Sequence, residues 1–257
     1  MTGPMSPWGL SRPRRPGAPM RLYCFPHSGG SPGEYVRWAQ HLPTTEVWGI
    51  QLPGRGARLH EKPFTAVADL VDALVDEFSF TDPFAFFGHS LGALVAFDTA
   101  RELRARGLPG PRRLVLSACT PPHHGLQRAP LHTLPDEEFL DAISDRFGGL
   151  PPAIRTEPEL LELVLPAYRA DLEMFERYEH VPQEPLPCPI TVVGGTDDYI
   201  PPALLADWRR YTTGDFASHI FPGGHFYLRD EPVQGQLIRV IARELGEDAH
   251  PSRSPVR

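Results

Sequence analysis

A short apolar run that leads directly into Gly-His-Ser-Leu-Gly, over residues 84–92, constrains the fold of this chain more than any other feature. Residues 84–87 have the length and apolar character of a buried parallel strand, and apolar residues then recur near helical spacing. Gly88 and Gly92 leave room for a sharp turn between this strand and the helix. Such a turn would hold the Ser90 hydroxyl clear of the backbone, where a base and a substrate can both reach it.

The length and charge of the chain limit its class and its partners. With 257 residues, 41% of them apolar, it can bury one large core, and we expect one domain over residues 21–246. A formal net charge of −7 argues against nucleic acid or an anionic membrane as the main partner. No apolar run approaches the length of a membrane span.

A disordered leader is expected over residues 1–20, which are rich in Pro, Arg and Gly, and a disordered tail over 247–257.

The sequence offers three cysteines and a pair of adjacent histidines as candidate metal ligands. Cys24, Cys119 and Cys188 lack metal-ligand spacing and each lies in or beside an apolar run. We expect buried, reduced thiols, which fit a cytoplasmic protein. His123 and His124 have no carboxylate or thiol companion at metal-ligand spacing, so no metal site is expected.

Strand-like and helix-like segments alternate along most of the chain, which indicates a parallel α/β sheet. The clearest helix is predicted over residues 65–78, where apolar residues recur at three- and four-residue steps, and the last helix over 233–245. The strand-like runs are residues 21–25, 47–52, 84–87, 113–118, 190–193 and 219–221.

The strand rhythm stops between residues 121 and 187, where two helices are predicted over 136–147 and 157–178. A helical insertion at this point would stand over the carboxyl ends of the strands, where α/β sheets bind ligands, and it therefore predicts a lid. Met174 and Phe175 are candidates for binding the substrate. The alternative, that these side chains only pack the lid onto the body, stays open at this stage.

A serine nucleophile needs a base, and the base needs an acid that holds its tautomer. His225 is the expected base, because Pro-Gly-Gly-His-Phe follows the last strand-like run. The acid should follow the run 190–193, where Asp197 and Asp198 are adjacent. Asp197 is preferred, since it precedes Ile200 by three residues as in the usual hydrolase loop, but alignment on Gly195 would select Asp198. The chain order Ser, Asp, His is that of α/β-hydrolases.

An oxyanion needs two backbone N–H donors. The first is expected from Leu91, the residue after the nucleophile. The second should lie in a glycine-rich turn after the first strand, and the N–H of Ser28 in Phe-Pro-His-Ser-Gly-Gly is the expected donor.

These motifs together resemble the discrete type II thioesterases of polyketide and nonribosomal peptide biosynthesis, and the thioesterase that releases medium chains from animal fatty acid synthase. The resemblance covers about residues 20–246. Its markers are Phe-Pro-His-Ser-Gly-Gly from residue 25, Gln-Leu-Pro-Gly-Arg-Gly from 51, Gly-His-Ser-Leu-Gly from 88 and Pro-Gly-Gly-His-Phe-Tyr from 222. Ser28 stands where alanine is common in the family, and the leader lies outside the family pattern.

The resemblance implies an α/β-hydrolase fold with a helical lid, and hydrolysis of acyl groups from the phosphopantetheine thiol of acyl or peptidyl carrier proteins. Such an enzyme clears stalled or aberrant units from an assembly line, in the cytoplasm and without a cofactor. Ser90 would attack the thioester, His225 would accept its proton and Asp197 would stabilise the imidazolium. Two alternatives stay open, a general carboxylesterase or lipase and a non-catalytic carrier-binding protein.

Overall fold

The computed structural model describes residues 6–125, 129–148 and 156–247, which form a seven-stranded sheet. The strands lie in the order β1-β3-β2-β4-β5-β6-β7, with β1 antiparallel to β3 and the other neighbouring pairs parallel. The predicted α/β sheet is therefore confirmed. The strands are β1 (Gly9–Leu10), β2 (Met20–Phe25), β3 (Thr45–Ile50), β4 (Phe84–His89), β5 (Leu114–Ser117), β6 (Ile190–Gly195) and β7 (Phe216–Phe221).

The predicted helices are also confirmed, with ends that differ from the predicted ones by at most two residues. Within the part of the chain that the structure describes, no helix is both long enough and apolar enough to cross a bilayer. The helices are α1 (Gly33–Val36), α2 (Val67–Glu77), α3 (Leu91–Ala105), α4 (Asp136–Phe147), α5 (Pro158–Glu176), α6 (Pro202–Ala206) and α7 (Glu231–Glu244).

Strand β4 is apolar over residues 84–87 because both of its faces are buried there. Phe84 and Phe86 point into the cluster that α2 and α3 cover, and Ala85 and Phe87 point into the cluster that α7 covers. Successive side chains of a strand alternate between the two faces of a sheet, so a central strand needs apolar residues at every position. This burial places the carboxyl end of β4, and with it Ser90, in the middle of the sheet.

The segment between β5 and β6 contributes α4 and α5 instead of strands, as predicted. These helices have a small apolar core of their own, formed by Leu131, Phe139, Ile143, Leu165, Tyr168 and Leu172. Further along α5, Met174 packs into the main core of the body. The insertion is therefore partly an independent layer, which α5 joins to the sheet.

The N-terminal segment is not a disordered leader over residues 6–20. Trp8 is 1% exposed and its indole N–H donates to Glu77 Oε2 at 2.8 Å, while β1 pairs with β3 and forms one edge of the sheet. The Arg15 guanidinium donates to the carbonyl oxygens of Ala39, Leu42 and Thr45. Composition alone is a poor guide here, because one buried tryptophan and one arginine with several acceptors are enough to order a short segment. Residues 1–5 and the predicted tail from residue 248 lie outside the described residues.

The three thiols are free, with Cys24 and Cys119 buried and Cys188 half-buried. Burial raises the pKa of Cys119 to about 12 and that of Cys188 to about 11. Since the thiolate is the reactive form, these cysteines are structural residues, as predicted.

Candidate active site

Ser90 occupies a strained turn between β4 and α3, with φ 55° and ψ −122°. A Cβ added at Gly88 would lie 2.2 Å from the carbonyl oxygen of Gly92, and one added at Gly92 would lie 2.1 Å from that of Phe25. Only glycine fits at either position. The turn is supported by the Ser90 N–H, which donates to the Ser117 carbonyl at 2.8 Å. The predicted sharp turn is therefore present, and it presents the hydroxyl above the N-terminus of α3.

The Ser90 hydroxyl and two buried side chains form one hydrogen-bonded row. His225 Nε2 lies 3.1 Å from Ser90 Oγ, and His225 Nδ1 lies 3.1 Å from each carboxylate oxygen of Asp198. The side chains of His225 and Asp198 are 3% and 2% exposed. With its Nδ1–H donated to Asp198, the imidazole keeps Nε2 free to accept the serine proton.

The sequence preference for Asp197 as the partner of His225 is wrong in this structure. Asp197 is exposed, and only its backbone N–H contacts the histidine loop, donating to the Gly223 carbonyl at 2.9 Å. A Cβ on Gly195 would lie 2.3 Å from that same carbonyl, so Gly195 is the glycine packed against the loop. Counting three residues from Gly195 selects Asp198, the alternative that the sequence left open.

The two predicted oxyanion donors lie next to the serine. Ser28 lines the same small cavity as Ser90 and His225, and Leu91 is the first residue of α3. Neither backbone N–H donates to a protein acceptor within the described ranges. The first four N–H groups of a helix have no partner inside the helix, which is why an oxyanion can bind at Leu91. Their role remains a prediction.

Of the two predicted substrate residues, Phe175 lines the cavity and Met174 does not. Phe175 borders both the small cavity at Ser90 and an adjoining, mostly apolar pocket of about 190 Å³. Phe147 and Leu172 border both spaces as well, so the two spaces share a wall. Met174 is 1% exposed and packs toward the body, because neighbouring positions of a helix point about 100° apart. The lid prediction is supported, since α4 and α5 cover Ser90.

Two further histidines lie beside His225, and burial lowers the pKa of both. His89 is fully buried, its ring centroid lies 5.1 Å from that of His225, and its Nδ1 lies 2.8 Å from Ser117 Oγ. Burial, and then the charge of His225, holds the pKa of His89 well below its ordinary value. Burial, and then the charge of Arg229, does the same to the pKa of His27. Of the three rings, His225 contacts the buried carboxylate of Asp198, whereas His27 Nε2 lies 3.8 Å from the half-buried carboxylate of Glu34.

Sequence reasoning missed an ion pair beside the site. Arg55 and Asp171 form two short hydrogen bonds of 2.6 and 2.7 Å, and Asp171 also accepts the Gly29 N–H at 2.7 Å. The partners are 116 residues apart along the chain. Arg55 lies in the Gln-Leu-Pro-Gly-Arg-Gly motif, but nothing in the spacing of Asp171 identifies it.

The prediction that His123 and His124 have no carboxylate or thiol companion at metal-ligand spacing is also wrong. Asp207 Oδ2 lies 2.8 Å from His124 Nε2 and 3.8 Å from His123 Nε2, and the candidate ligand atoms of the three residues lie within 4.8 Å of one another. The hydrogen bond from His124 lowers the pKa of Asp207. This hydrogen bond explains why the three side chains lie together at the surface.

The mostly parallel sheet, the strained serine turn and the Asp–His pair in this chain order define the α/β-hydrolase class. The model of the Thioesterase domain family matches residues 20–245, and the chain belongs to that family. Thioesterase PikA5 of Streptomyces venezuelae is 39% identical over 224 residues, covering 84% of this chain and 78% of the relative.

Solved structures give the same result. The RedJ thioesterase from the prodiginine biosynthetic pathway in Streptomyces coelicolor is 40% identical with a TM-score of 0.82, covering 89% of this chain and 91% of that one. The type II thioesterase BorB from the borrelidin biosynthetic cluster is 32% identical with a TM-score of 0.81, covering 97% of this chain and all of that one. The resemblance that the motifs indicated is confirmed, and the family acts on thioesters.

Proposed function

We propose that this protein is a discrete type II thioesterase that hydrolyses acyl groups from the phosphopantetheine thiol of acyl or peptidyl carrier proteins. It would remove stalled or aberrant units from a polyketide or nonribosomal peptide assembly line. The observation that carries this proposal is the buried row Ser90, His225 and Asp198 beneath a helical lid, in a chain whose relatives are named for such pathways.

In the proposed mechanism, Ser90 Oγ attacks the thioester carbonyl carbon while His225 Nε2 takes the hydroxyl proton. Asp198 stabilises the imidazolium, and the N–H groups of Ser28 and Leu91 stabilise the oxyanion. The C–S bond then breaks and the thiol leaves with the proton from His225. A water molecule next attacks the acyl-serine and gives its proton to the same Nε2. The carboxylic acid departs when Ser90 recovers that proton.

Two spaces close to the Ser90 site fit the two parts of such a substrate. The apolar pocket bordered by Phe175 would hold the acyl group, and its volume of about 190 Å³ favours short acyl chains, since ligand pockets commonly measure roughly 300–1,000 Å³. An open groove of about 580 Å³, bordered by Asp197, Tyr199, Phe226 and Arg229, reaches His225 from outside. The pantetheine arm would enter through this groove.

The proposed partner is a carrier protein that binds transiently, in the cytoplasm. Carrier proteins are typically acidic, and a chain with a net charge of −7 gains no long-range attraction toward them. Docking would therefore depend on short-range contacts around the groove, and no metal or other cofactor takes part in the proposed reaction.

The test is steady-state hydrolysis of a matched pair of short acyl substrates, a pantetheine or carrier-protein thioester and the corresponding oxygen ester. We expect turnover of the thioester, and loss of at least about 10³-fold in kcat for Ser90→Ala. Cleavage of the oxygen ester alone would replace the proposal with a general esterase. No cleavage of either substrate would favour a non-catalytic carrier-binding protein.

A further inference from the structure

The lid helix α5 is bonded directly to the loop that carries the proposed oxyanion donor. Asp171 of α5 accepts the Gly29 N–H at 2.7 Å through Oδ2, which also accepts from Arg55 Nη1 at 2.6 Å. Its Oδ1 accepts from Arg55 Nη2 at 2.7 Å. The Asp171 side chain is 1% exposed. A buried carboxylate is stable only with such partners, and Arg55 supplies the compensating charge.

A second side chain of α5 holds the same loop residue in place. Gly29 has a φ of 72°, and a Cβ there would lie 2.2 Å from the Tyr168 ring. Tyr168 precedes Asp171 by three residues, so both side chains lie on one face of the helix. The loop is also closed on itself, because the Gly30 N–H donates to the His27 carbonyl at 2.8 Å. The helix therefore determines where the backbone of Gly29 lies.

Fixing the Gly29 N–H restricts the preceding residue as well. The peptide group that Asp171 holds joins Ser28 to Gly29, so its orientation limits the backbone rotation of Ser28. The N–H of Ser28 is the proposed second donor to the oxyanion, and a donor works only when it already points at the position that the oxyanion will occupy. Arg55 adds a weaker contact to this loop, 3.4 Å from the Gly30 carbonyl.

We propose that Asp171 is a positioning residue for the oxyanion hole. Because Asp171 lies on the lid helix α5, the rate of catalysis then depends on how α5 is placed against the body. This inference rests on the proposed function and adds a residue to it. Asp171 does not touch the reacting atoms. It acts by holding the Gly29 N–H, and Arg55 acts by neutralising Asp171.

The competing explanation is that Arg55 and Asp171 only stabilise the fold. Two double variants distinguish this explanation from a role in positioning. Arg55→Met with Asp171→Leu removes both charges and the acceptor, whereas Arg55→Met with Asp171→Asn keeps an amide oxygen for the Gly29 N–H. Replacing a buried ion pair by apolar residues is often neutral for stability, so the first variant is expected to fold. Asp136→Asn is the control, because it removes the ion pair between Asp136 of α4 and Arg169 of α5, the helix that also carries Asp171.

The readouts are kcat and KM for a short acyl-pantetheine thioester, with the melting temperature measured in parallel. For the leucine double variant we expect kcat to fall by about 10- to 100-fold, with KM within about 2-fold, since a misdirected donor costs transition-state binding. The asparagine double variant should recover most of the loss, and Asp136→Asn should match the wild type. Equal kcat in the two double variants would overturn the inference.

If the leucine double variant does not fold, the single Asp171→Asn variant decides. It keeps the shape of the side chain, but a single amide oxygen must now serve the three N–H groups that the carboxylate accepts from, and Arg55 loses its countercharge, so kcat should fall by about 3- to 10-fold. Unchanged kcat in a folded variant would overturn the inference. A wild-type protein that cleaves only oxygen esters would refute the proposed function but not this inference, because both ester types need the oxyanion hole and the variants can be assayed on either.

Discussion

The imidazole Nδ1 of His225 lies 3.1 Å from both carboxylate oxygens of Asp198, while the neighbouring Asp197 side chain is exposed. The two aspartates are adjacent in sequence and differ only in which side of the turn they face. This pair therefore provides a matched test of the catalytic acid.

Asp198→Asn should lower kcat by about 10³- to 10⁴-fold, because an amide in this position favours the wrong tautomer of His225. Asp197→Asn should stay within about 3-fold of the wild type, since its side chain faces solvent. Steady-state kinetics on one thioester with both variants checks this. A larger loss of kcat in Asp197→Asn than in Asp198→Asn would show that the loop adopts another conformation in solution, and Asp197 would again be the proposed partner of His225.

Phe175→Ala should change which acyl chains are accepted, whereas Met174→Ala should change stability. Phe175 borders the acyl pocket, so its removal enlarges the space and should raise kcat/KM for longer chains relative to short ones. Met174 is buried in the main core, and its truncation should cost about 2–5 kcal/mol of unfolding free energy. A chain-length series and urea denaturation of both variants test the assignment. A shifted chain preference in Met174→Ala alone would contradict it.

Stability should fall as the pH drops below about 6.5, partly because of His89. Burial depresses the pKa of His89 in the folded state, so below its unfolded pKa the unfolded chain binds a proton that the folded chain does not. The unfolding free energy therefore decreases with falling pH, by about 1.4 kcal/mol per pH unit for one such group.

His89→Gln removes the titrating ring, so between pH 7 and pH 5 the unfolding free energy of this variant should fall less than that of the wild type. The measurement is urea denaturation at both pH values. His219, on the edge strand β7, offers a matched control through His219→Gln. Equal losses in His89→Gln and the wild type would show that His89 is protonated in the folded protein.

Trp8→Ala should destabilise the protein by about 3–5 kcal/mol, because its ring is buried against the body and its N–H is bonded to Glu77. Arg12→Ala, at an exposed position of the same segment, should stay within about 0.5 kcal/mol. Equilibrium denaturation of the full chain measures both. A negligible effect of Trp8→Ala would mean that the segment detaches from β3 in solution.

Features that depend on neighbouring residues in the sequence were predictable. The Ser90 turn needs an apolar strand, two glycines and an amphipathic helix, all within residues 84–105, and each leaves a local pattern. The same holds for α2, whose apolar residues recur at helical spacing, and for the Pro-Gly-Gly-His loop that carries His225. Hydrophobic periodicity and steric requirements at glycine act over a few residues, so the sequence alone predicted the α/β class and the turns that present the proposed nucleophile and base.

Only the tertiary structure decided which side chains meet across the fold. The spacing to Ile200 favoured Asp197 over Asp198, but the packing of Gly195 against the Gly223 carbonyl places Asp198 at His225. Asp171 reaches Gly29 because α5 lies over the first loop, and Trp8 is ordered because β3 offers a free edge. Hydrogen bonds and ion pairs depend on distances of about 3 Å between segments that are far apart in the chain, and no local pattern encodes such distances.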